Sequence, residues 1–367
     1  MAYKNIITYG SKVSQVVQDY YSPSANVSGQ SLTSLYAFLS KVDPWSNDAI
    51  PDQPTQDQQY IKSVFSNMFA AKLITSNYIS PVIERIDWTY GTVYDYYQDN
   101  IDMFQKDNNG FSILKFYVRN SYDQVFKCLW NNNGNPSNSM PMFQPGSYGS
   151  NKIYTGSDGY KWKYMYTMDL GSKKTFMDAN WMPVPVDAAI SPNPVIPSAG
   201  CGNIEVINVT NGGSGYDTSN TIINVVVTGN QPYIQYTNPS TVIANVAVSN
   251  GVISDIVVSN PGSNYTSANV TINVYSSSNL VSIGTGATAI APVSPVGGHG
   301  YDPISELGTS HVMFSVEFNG SENGYIPTNI EYYQIGLLVT PIAYADLSNI
   351  ANYQIYNTST RFKVSAG

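Results

Sequence analysis

Between residues 55 and 73 the apolar positions Tyr60, Ile61, Val64, Phe65, Met68 and Phe69 recur at i, i+1, i+4, i+5, i+8 and i+9. That spacing gathers them on one face at about 3.6 residues per turn. Pro54 stands just ahead, and Thr55 with Gln58 has capping-box spacing, so the pattern predicts an amphipathic helix over 55–73. Residues 12–21 and 32–42 read as two shorter helices, the second stopped at Asp43-Pro44 because a residue before proline avoids the helical region. From Trp88 to Val186 the texture changes to alternating, aromatic-rich runs at 113–118, 124–130 and 160–168, which read as strands. Their connectors, 131–136 and 143–150, are rich in residues that tolerate turn dihedrals.

Pro183, Pro185, Pro192, Pro194 and Pro197 then punctuate 15 residues, which no continuous helix or central strand survives; this is read as a linker or extended edge segment at a domain boundary. Beyond it lies an internal repeat. Residues 207–216 match 256–265 without gaps at an offset of 49, and the register continues to Asn224-Val225 against Asn273-Val274. Each copy reads as a β-branched strand, a turn of the form Asn-x-Gly-Ser-x-Tyr and a second strand, with Asn250-Gly251 as a hairpin turn between 242–249 and the next strand. A third, partial copy is expected from Gly286-Ala287-Thr288-Ala289. The tail from Gly297 supplies further strands at 310–318 and 332–341.

The expected architecture is therefore mainly β with a helical N-terminal part (α+β), multidomain, with β-sandwich-like domains and an inserted β-repeat module. Its divisions are an N-terminal α+β part of a body domain at 1–87, an aromatic-rich β domain at 88–190, the repeat module at 202–292 and a C-terminal β part completing the body at 293–367.

Composition supports β structure and narrows the partners. Charged residues make up 11% of the chain, against about 25% in ordinary globular domains, while aromatics reach 13% with 30 tyrosines. Fifteen of the 17 Lys and Arg residues lie between Lys4 and Lys174; the 186 residues from Thr175 to Thr360 have none, against 11 acids. With a formal net charge of −8 this disfavours nucleic acid, which needs concentrated positive charge. No run approaches the roughly 18 apolar residues of a membrane span, and residues 1–10 lack the pattern of a signal peptide. No membrane partner is expected, and synthesis and assembly are expected in a reducing cytoplasm. Cys128 and Cys201 fit reduced packing residues.

No constellation of catalytic, cofactor-binding or metal-binding residues emerges. His299 and His311 have no Cys or acid pair at metal-ligand spacing, and the glycines around His299 point to a tight loop in which the imidazole bonds the backbone. Asp107-Asn108-Asn109-Gly110 opens like a calcium loop but has Val118 at the twelfth position, where the bidentate glutamate belongs, so a hairpin turn is expected. Gly212-Gly213-Ser214-Gly215 is followed by no lysine and reads as a repeat turn. No acid pair stands out for glycan hydrolysis.

Four blocks carry a resemblance: 42–48 (Val-Asp-Pro-Trp-Ser-Asn-Asp), 81–88 (Pro-Val-Ile-Glu-Arg-Ile-Asp-Trp), 125–129 (Val-Phe-Lys-Cys-Leu) and 158–165 (Asp-Gly-Tyr-Lys-Trp-Lys-Tyr-Met). In this order they resemble the baseplate wedge subunit, the dimeric wedge component, of T-even-like contractile-tailed bacteriophages. The run Gly-Gly-His-Gly-Tyr-Asp-Pro-x-x-Glu-Leu-Gly at 297–308 and Gln334-Ile335-Gly336-Leu337-Leu338 resemble its cyanophage-type version. The repeats depart from that pattern as an inserted decoration. The resemblance implies a structural virion protein of the tail baseplate, assembled in the host cytoplasm, a homodimer touching other wedge proteins, and no enzyme activity. A chain poor in charge and rich in Tyr and Asn suits large protein interfaces. Trp45, Trp88, Tyr94, Tyr96, Tyr97, Trp162 and Tyr301 are the expected interface residues. The alternative is a carbohydrate- or receptor-binding tail module using the tyrosines and the loops around Tyr216 and Tyr265.

Overall fold

A computed structural model describes residues 3–5, 35–55, 57–144, 153–186, 202–216, 221–229, 241–276, 284–319, 326–327, 329–339 and 353–362. The chain is mainly β, in several small antiparallel sheets. Its first elements are β1 (Tyr3–Asn5), β2 (Leu35–Ser40), α1 (Gln58–Ser66), β3 (Met68–Leu73), β4 (Ile79–Glu84), β5 (Tyr117–Arg119), β6 (Gln124–Trp130), β7 (Ile153–Thr155), β8 (Lys161–Thr167), α2 (Leu170–Phe176) and β9 (Trp181–Pro183). The repeat region forms β10 (Asn208–Ser214), β11 (Thr221–Thr228), β12 (Ile243–Ser249), β13 (Val252–Asn260), β14 (Asn269–Ser276) and β15 (Thr285–Ile290). The tail adds α3 (Pro303–Glu306), β16 (His311–Phe314), β17 (Tyr332–Val339) and β18 (Tyr353–Phe362). Two compact units result, one of residues 1–81 with 310–367 and one of 82–309. Residues 88–190 and 202–292 thus share a unit, and 293–309 join them there rather than the N-terminal part.

In the first unit a sheet of order β18-β17-β2-β3 corrects two expected helices. Leu35–Ser40 is a strand, hydrogen-bonded to β17 on one side and β3 on the other. Phe38 packs with Val64 of α1 and Leu338, whereas Leu35 and Ala37 pack with Ile74, Val312 and Phe314. A strand apolar on both faces has no polar alternation to distinguish it from a helix. The helix expected over 55–73 stops at Ser66. Its N-cap is Asp57, without a side-chain capping bond, and Met68–Leu73 leaves as a strand with alternating burial because β2 offers it a ladder. Phe65 and Phe69 consequently stay exposed. The segment 12–21 lies outside the described residues.

In the second unit the expected strand at 124–130 is β6, and 160–168 contains β8; of 113–118 only the end enters β5. The sheet order is β5-β6-β8-β7. Pairing of Lys127 with Lys163 and of Cys128 with Trp162 defines its faces. Phe126, Cys128 and Trp162 stand on one, and Lys127, Lys163 and Lys161 on the other. Asp107–Gly110 is a hairpin turn, its Asp107 carboxylate accepting the Asn109 and Phe111 N–H groups, which hold its pKa below the usual range. β9 pairs with β4 at the start of the proline-rich stretch, which from residue 187 onward lies outside the described residues together with Cys201.

Among the described residues the repeat forms six strands, in two interlocked sets of three. β12 pairs with β13, β10 with β15, and β11 with β14. Residues 49 apart face each other across two antiparallel pairings: Ile207 bridges Ile256, and Asn224 sits opposite Asn273. Antiparallel pairing of equivalent residues defines a local two-fold axis, and its bonds occur twice. Tyr216 N–H donates to Gly251 O and Tyr265 N–H to Gly202 O, both at 3.0 Å. The two tyrosine hydroxyls accept from Ala287 N and Val242 N at 3.1 and 3.3 Å. Gly286–Ala289 therefore lies in the closing strand of the second copy, the counterpart of β12, and starts no third copy. The core is duplicated as well: Ile204 with Ile253, Ile207 with Ile256 and Tyr216 with Tyr265 are all buried.

Gly202 and Gly251 are equivalent, with φ of 63° and 74°. A Cβ on Gly202 would run into the backbone of Tyr265, whereas on Gly251 its nearest neighbours would be 3.8 Å away. Gly251→Ala should therefore cost only the left-handed backbone penalty, about 1–2 kcal/mol, and Gly202→Ala clearly more. Urea unfolding of the two variants measures this; equal losses would show that the two turns are not differently packed.

Candidate functional site

A lysine in the middle of an apolar strand must find an acid or lose its charge. Lys127, Lys161 and Lys163 all lie in such strands, and acids from chain segments up to 179 residues away reach them. Lys127 Nζ lies 3.0 Å from Glu306 Oε2, Lys163 Nζ 2.6 Å from Glu205 Oε2, and Lys161 Nζ 2.8 Å from Asp255 Oδ1. The Lys127–Glu306 pair is almost wholly enclosed, with side-chain exposures of 0% and 2%.

The segment 297–308 is built around this pair. Gly297, Gly298 and Gly300 adopt φ of 88°, 88° and 84°, the left-handed region glycine enters freely. Tyr301 lies against Gly297 where a side chain would stand, and Asp302 caps α3 by accepting Ser305 N–H with Pro303 in the first turn. α3 then delivers Glu306, whose Oε1 accepts Gly300 N–H at 2.8 Å and Asp302 N–H at 3.2 Å. His299 N–H donates to Glu205 Oε1 at 2.7 Å, so the loop ties both acids together. The His299 ring does not bond the backbone as expected: its Nδ1 lies 3.1 Å from Lys127 Nζ. An ammonium only donates, so Nδ1 accepts and the neutral ring carries its proton on Nε2. Tyr97 closes the cluster, with Lys127 Nζ 4.0 Å from its ring centroid and the His299 ring edge-on at 4.8 Å.

Electrostatics follow from enclosure. Burial, reinforced by the Lys127 charge, lowers the His299 pKa to about 4 from 6.5. Burial alone would raise Glu306, but the Lys127 charge and the hydrogen bond from its ammonium hold it at about 2. Tyr97 is pushed up to about 12, chiefly by burial. Every carboxylate oxygen of Glu205 and Glu306 already has a partner. The cluster is thus an ionic latch whose carboxylate oxygens are all engaged. It fixes the repeat module and the 297–308 loop on the sheet, with Asn208 Nδ2 donating to Leu129 O and Lys161 Nζ to Ile207 O beside it.

The docking groups break the repeat's symmetry. Counterparts 49 residues away from Glu205, Asp255 and Asn208 are Ser254, Val206 and Val257, none of which could replace them. Asn208 is fully buried, while Val257 is 53% exposed.

The seven expected interface residues do not form one surface. Trp162 is fully buried between Tyr94 and Tyr160, and Tyr94 is buried too, so both are core residues rather than contact residues. Tyr96 packs edge-on to Trp130, and Tyr97 belongs to the latch. Trp88 is half-buried and donates to Ser137 Oγ, whereas Tyr301 is 37% exposed. Trp45 belongs to the other unit, half-buried beneath the Lys41 ammonium. The latch was missed as a group. Besides the glycine loop around His299, its legible signal was the presence of Lys127, Lys161 and Lys163 inside otherwise apolar strands.

The chain matches no protein-family model and no curated protein.

Replacing one partner of an enclosed ion pair strands the other charge, so Glu306→Gln and Lys127→Met should each cost about 3–5 kcal/mol, with the double variant regaining a large part. A double-mutant cycle by urea unfolding measures this, and strict additivity would exclude coupling. The two depressed pKa values also predict acid behaviour. Each group stabilises the fold above its unfolded value, and that contribution is lost on acidification: from pH 6.5 down to about 4 for His299 and from 4.5 down to about 2 for Glu306. His299→Gln should flatten the upper part of the stability profile and leave the lower part, read by thermal unfolding across pH.

Proposed function

We propose that this protein is a structural subunit of the baseplate wedge of a contractile phage tail, acting through its surfaces and not as an enzyme. One observation carries the reading: three sequence blocks that resemble the wedge family supply one latch. Lys127 comes from 125–129, Lys161 and Lys163 from 158–165, and His299 and Glu306 from 297–308. A motif set whose members meet in a buried ion-paired network is what a load-transmitting scaffold needs, because it converts separate strands into one rigid block. Exposed apolar residues add to the support: Leu170, Tyr90, Val296 and Tyr122 are 81%, 75%, 71% and 59% accessible on a chain poor in charge.

In this reading the protein is a homodimer that links neighbouring wedge proteins in the virion, is assembled in the host cytoplasm, and carries β-sandwich-like domains with a helical N-terminal contribution and the repeat module as an insertion. Baseplate rearrangement needs interfaces with two discrete packings; the latched block is a part that moves as a whole between them. The test is assembly. Tails made without the protein should lack complete baseplates by electron microscopy, and the purified chain should sediment as a dimer and co-assemble with wedge partners. Normal tails in its absence would overturn the reading.

A further inference from the structure

The charges enclosed around Lys127 balance in one protonation state only. Lys127 on β6, Lys163 on β8, Glu205 ahead of β10, Glu306 on α3 and His299 in the glycine-rich loop meet with side-chain exposures of 9% or less. Tyr97 faces them from the segment before β5 and stays neutral, because burial, with Asp99 and Glu306 adding to the effect, pushes its phenol to about 12. Two ammonium groups and two carboxylates cancel, so the enclosed sum is zero while the imidazole is neutral. A proton on His299 leaves one positive charge without a counterpart, and an enclosed charge in excess costs far more than the same charge in water.

Protonation also removes a bond instead of making one. Nδ1 accepts from the Lys127 ammonium at 3.1 Å; carrying a proton, it would aim a donor at a donor and set two like charges at that distance. Glu306 Oε2, 3.6 Å from Nδ1, is beyond hydrogen-bonding range and already holds Lys127. Glu306 Oε1 takes the Gly300 and Asp302 N–H groups, and Glu205 takes Lys163, Ser294 and the His299 N–H. The imidazolium therefore finds no vacant acceptor in place and gains one by swinging out to water. Gly298 and Gly300 flank it, and glycine turns through most backbone dihedrals at little cost. The repeat module is held independently of the ring, through Lys163–Glu205, Lys161–Asp255 and the Asn208 bond to Leu129 O.

We propose that residues 297–302 form a proton-operated clasp: protonation of His299 releases this loop from Lys127 and Tyr97 while the sheet and the repeat module stay joined. The closed loop binds the proton more weakly than the open one, since enclosure holds His299 at about 4 against 6.5, so acid favours the open form as pH falls below 6.5. Hydrogen exchange on the full chain tests this, with the His299, Gly300 and Asp302 amides as reporters because they donate into the buried carboxylates. Corrected for intrinsic exchange, their opening constant should rise about tenfold per pH unit between 6.5 and about 4. The Cys128 amide, bonded to Phe116 O beside Lys127, should show no such rise. His299→Gln keeps an oxygen that can accept from Lys127 and takes up no proton, so the slope should vanish. If that variant does not fold, NMR titration of the wild-type imidazole decides the matter: ring protonation should coincide with loss of amide protection. The proposal is overturned if the opening constant is flat over this range, if Cys128 opens in step with the loop, if the slope survives in His299→Gln, or if the ring is protonated while the amides stay protected. Opening needs no partner, so these outcomes are independent of the assembly reading.

Discussion

Three ammonium groups on one face of a small β-sheet cannot be left in an apolar interior, and most of the second unit is arranged around that constraint. Desolvating an ion costs several kcal/mol unless a partner of good geometry meets it. The sheet cannot supply partners itself, because its lysines face the same way. Acids must arrive from elsewhere, and they do: Glu205 and Asp255 on the repeat strands, Glu306 on the short helix after the glycine-rich loop. The consequence is specificity. An apolar face would accept many docking registers, whereas three lysines with three separately delivered acids accept one.

The repeat module shows the same division of labour inside a single body. Residues common to both copies, such as Ile204 with Ile253 and Tyr216 with Tyr265, build the two-fold core. Residues present in one copy alone, Glu205, Asp255 and Asn208, choose which part of that body meets the sheet. Duplication gives stability through doubled contacts, and substitution in one copy converts a symmetric object into one with a defined orientation.

Much of the β structure was legible because strand periodicity and turn chemistry are local. Gln124–Trp130 and the Asn250-Gly251 hairpin needed no tertiary information. The N-terminal elements were not, for a physical reason. Leu35–Ser40 has apolar residues buried on both faces, and Met68–Leu73 continues a helical spacing until a neighbouring strand takes over its hydrogen bonds. Of the latch, the tight glycine loop around His299 was visible in sequence, while the destination of His299 and Glu306 was not. The aromatic residues Trp162 and Tyr94 illustrate the same limit, since composition says that tyrosine and tryptophan matter without saying which way they face.

The amino-acid order by itself determined the strand-rich character, the 49-residue duplication, the tight turns and the absence of basic residues across 175–360, because each follows from neighbours along the chain or from counting. Tertiary structure alone decided which acid meets which lysine, that the two repeats interlock about a two-fold axis, and that the end of the N-terminal helical pattern becomes an edge strand. Those outcomes depend on groups as far as 179 residues apart being brought within hydrogen-bonding distance, where the penalty of enclosing an unpaired charge or an unbonded backbone selects one arrangement.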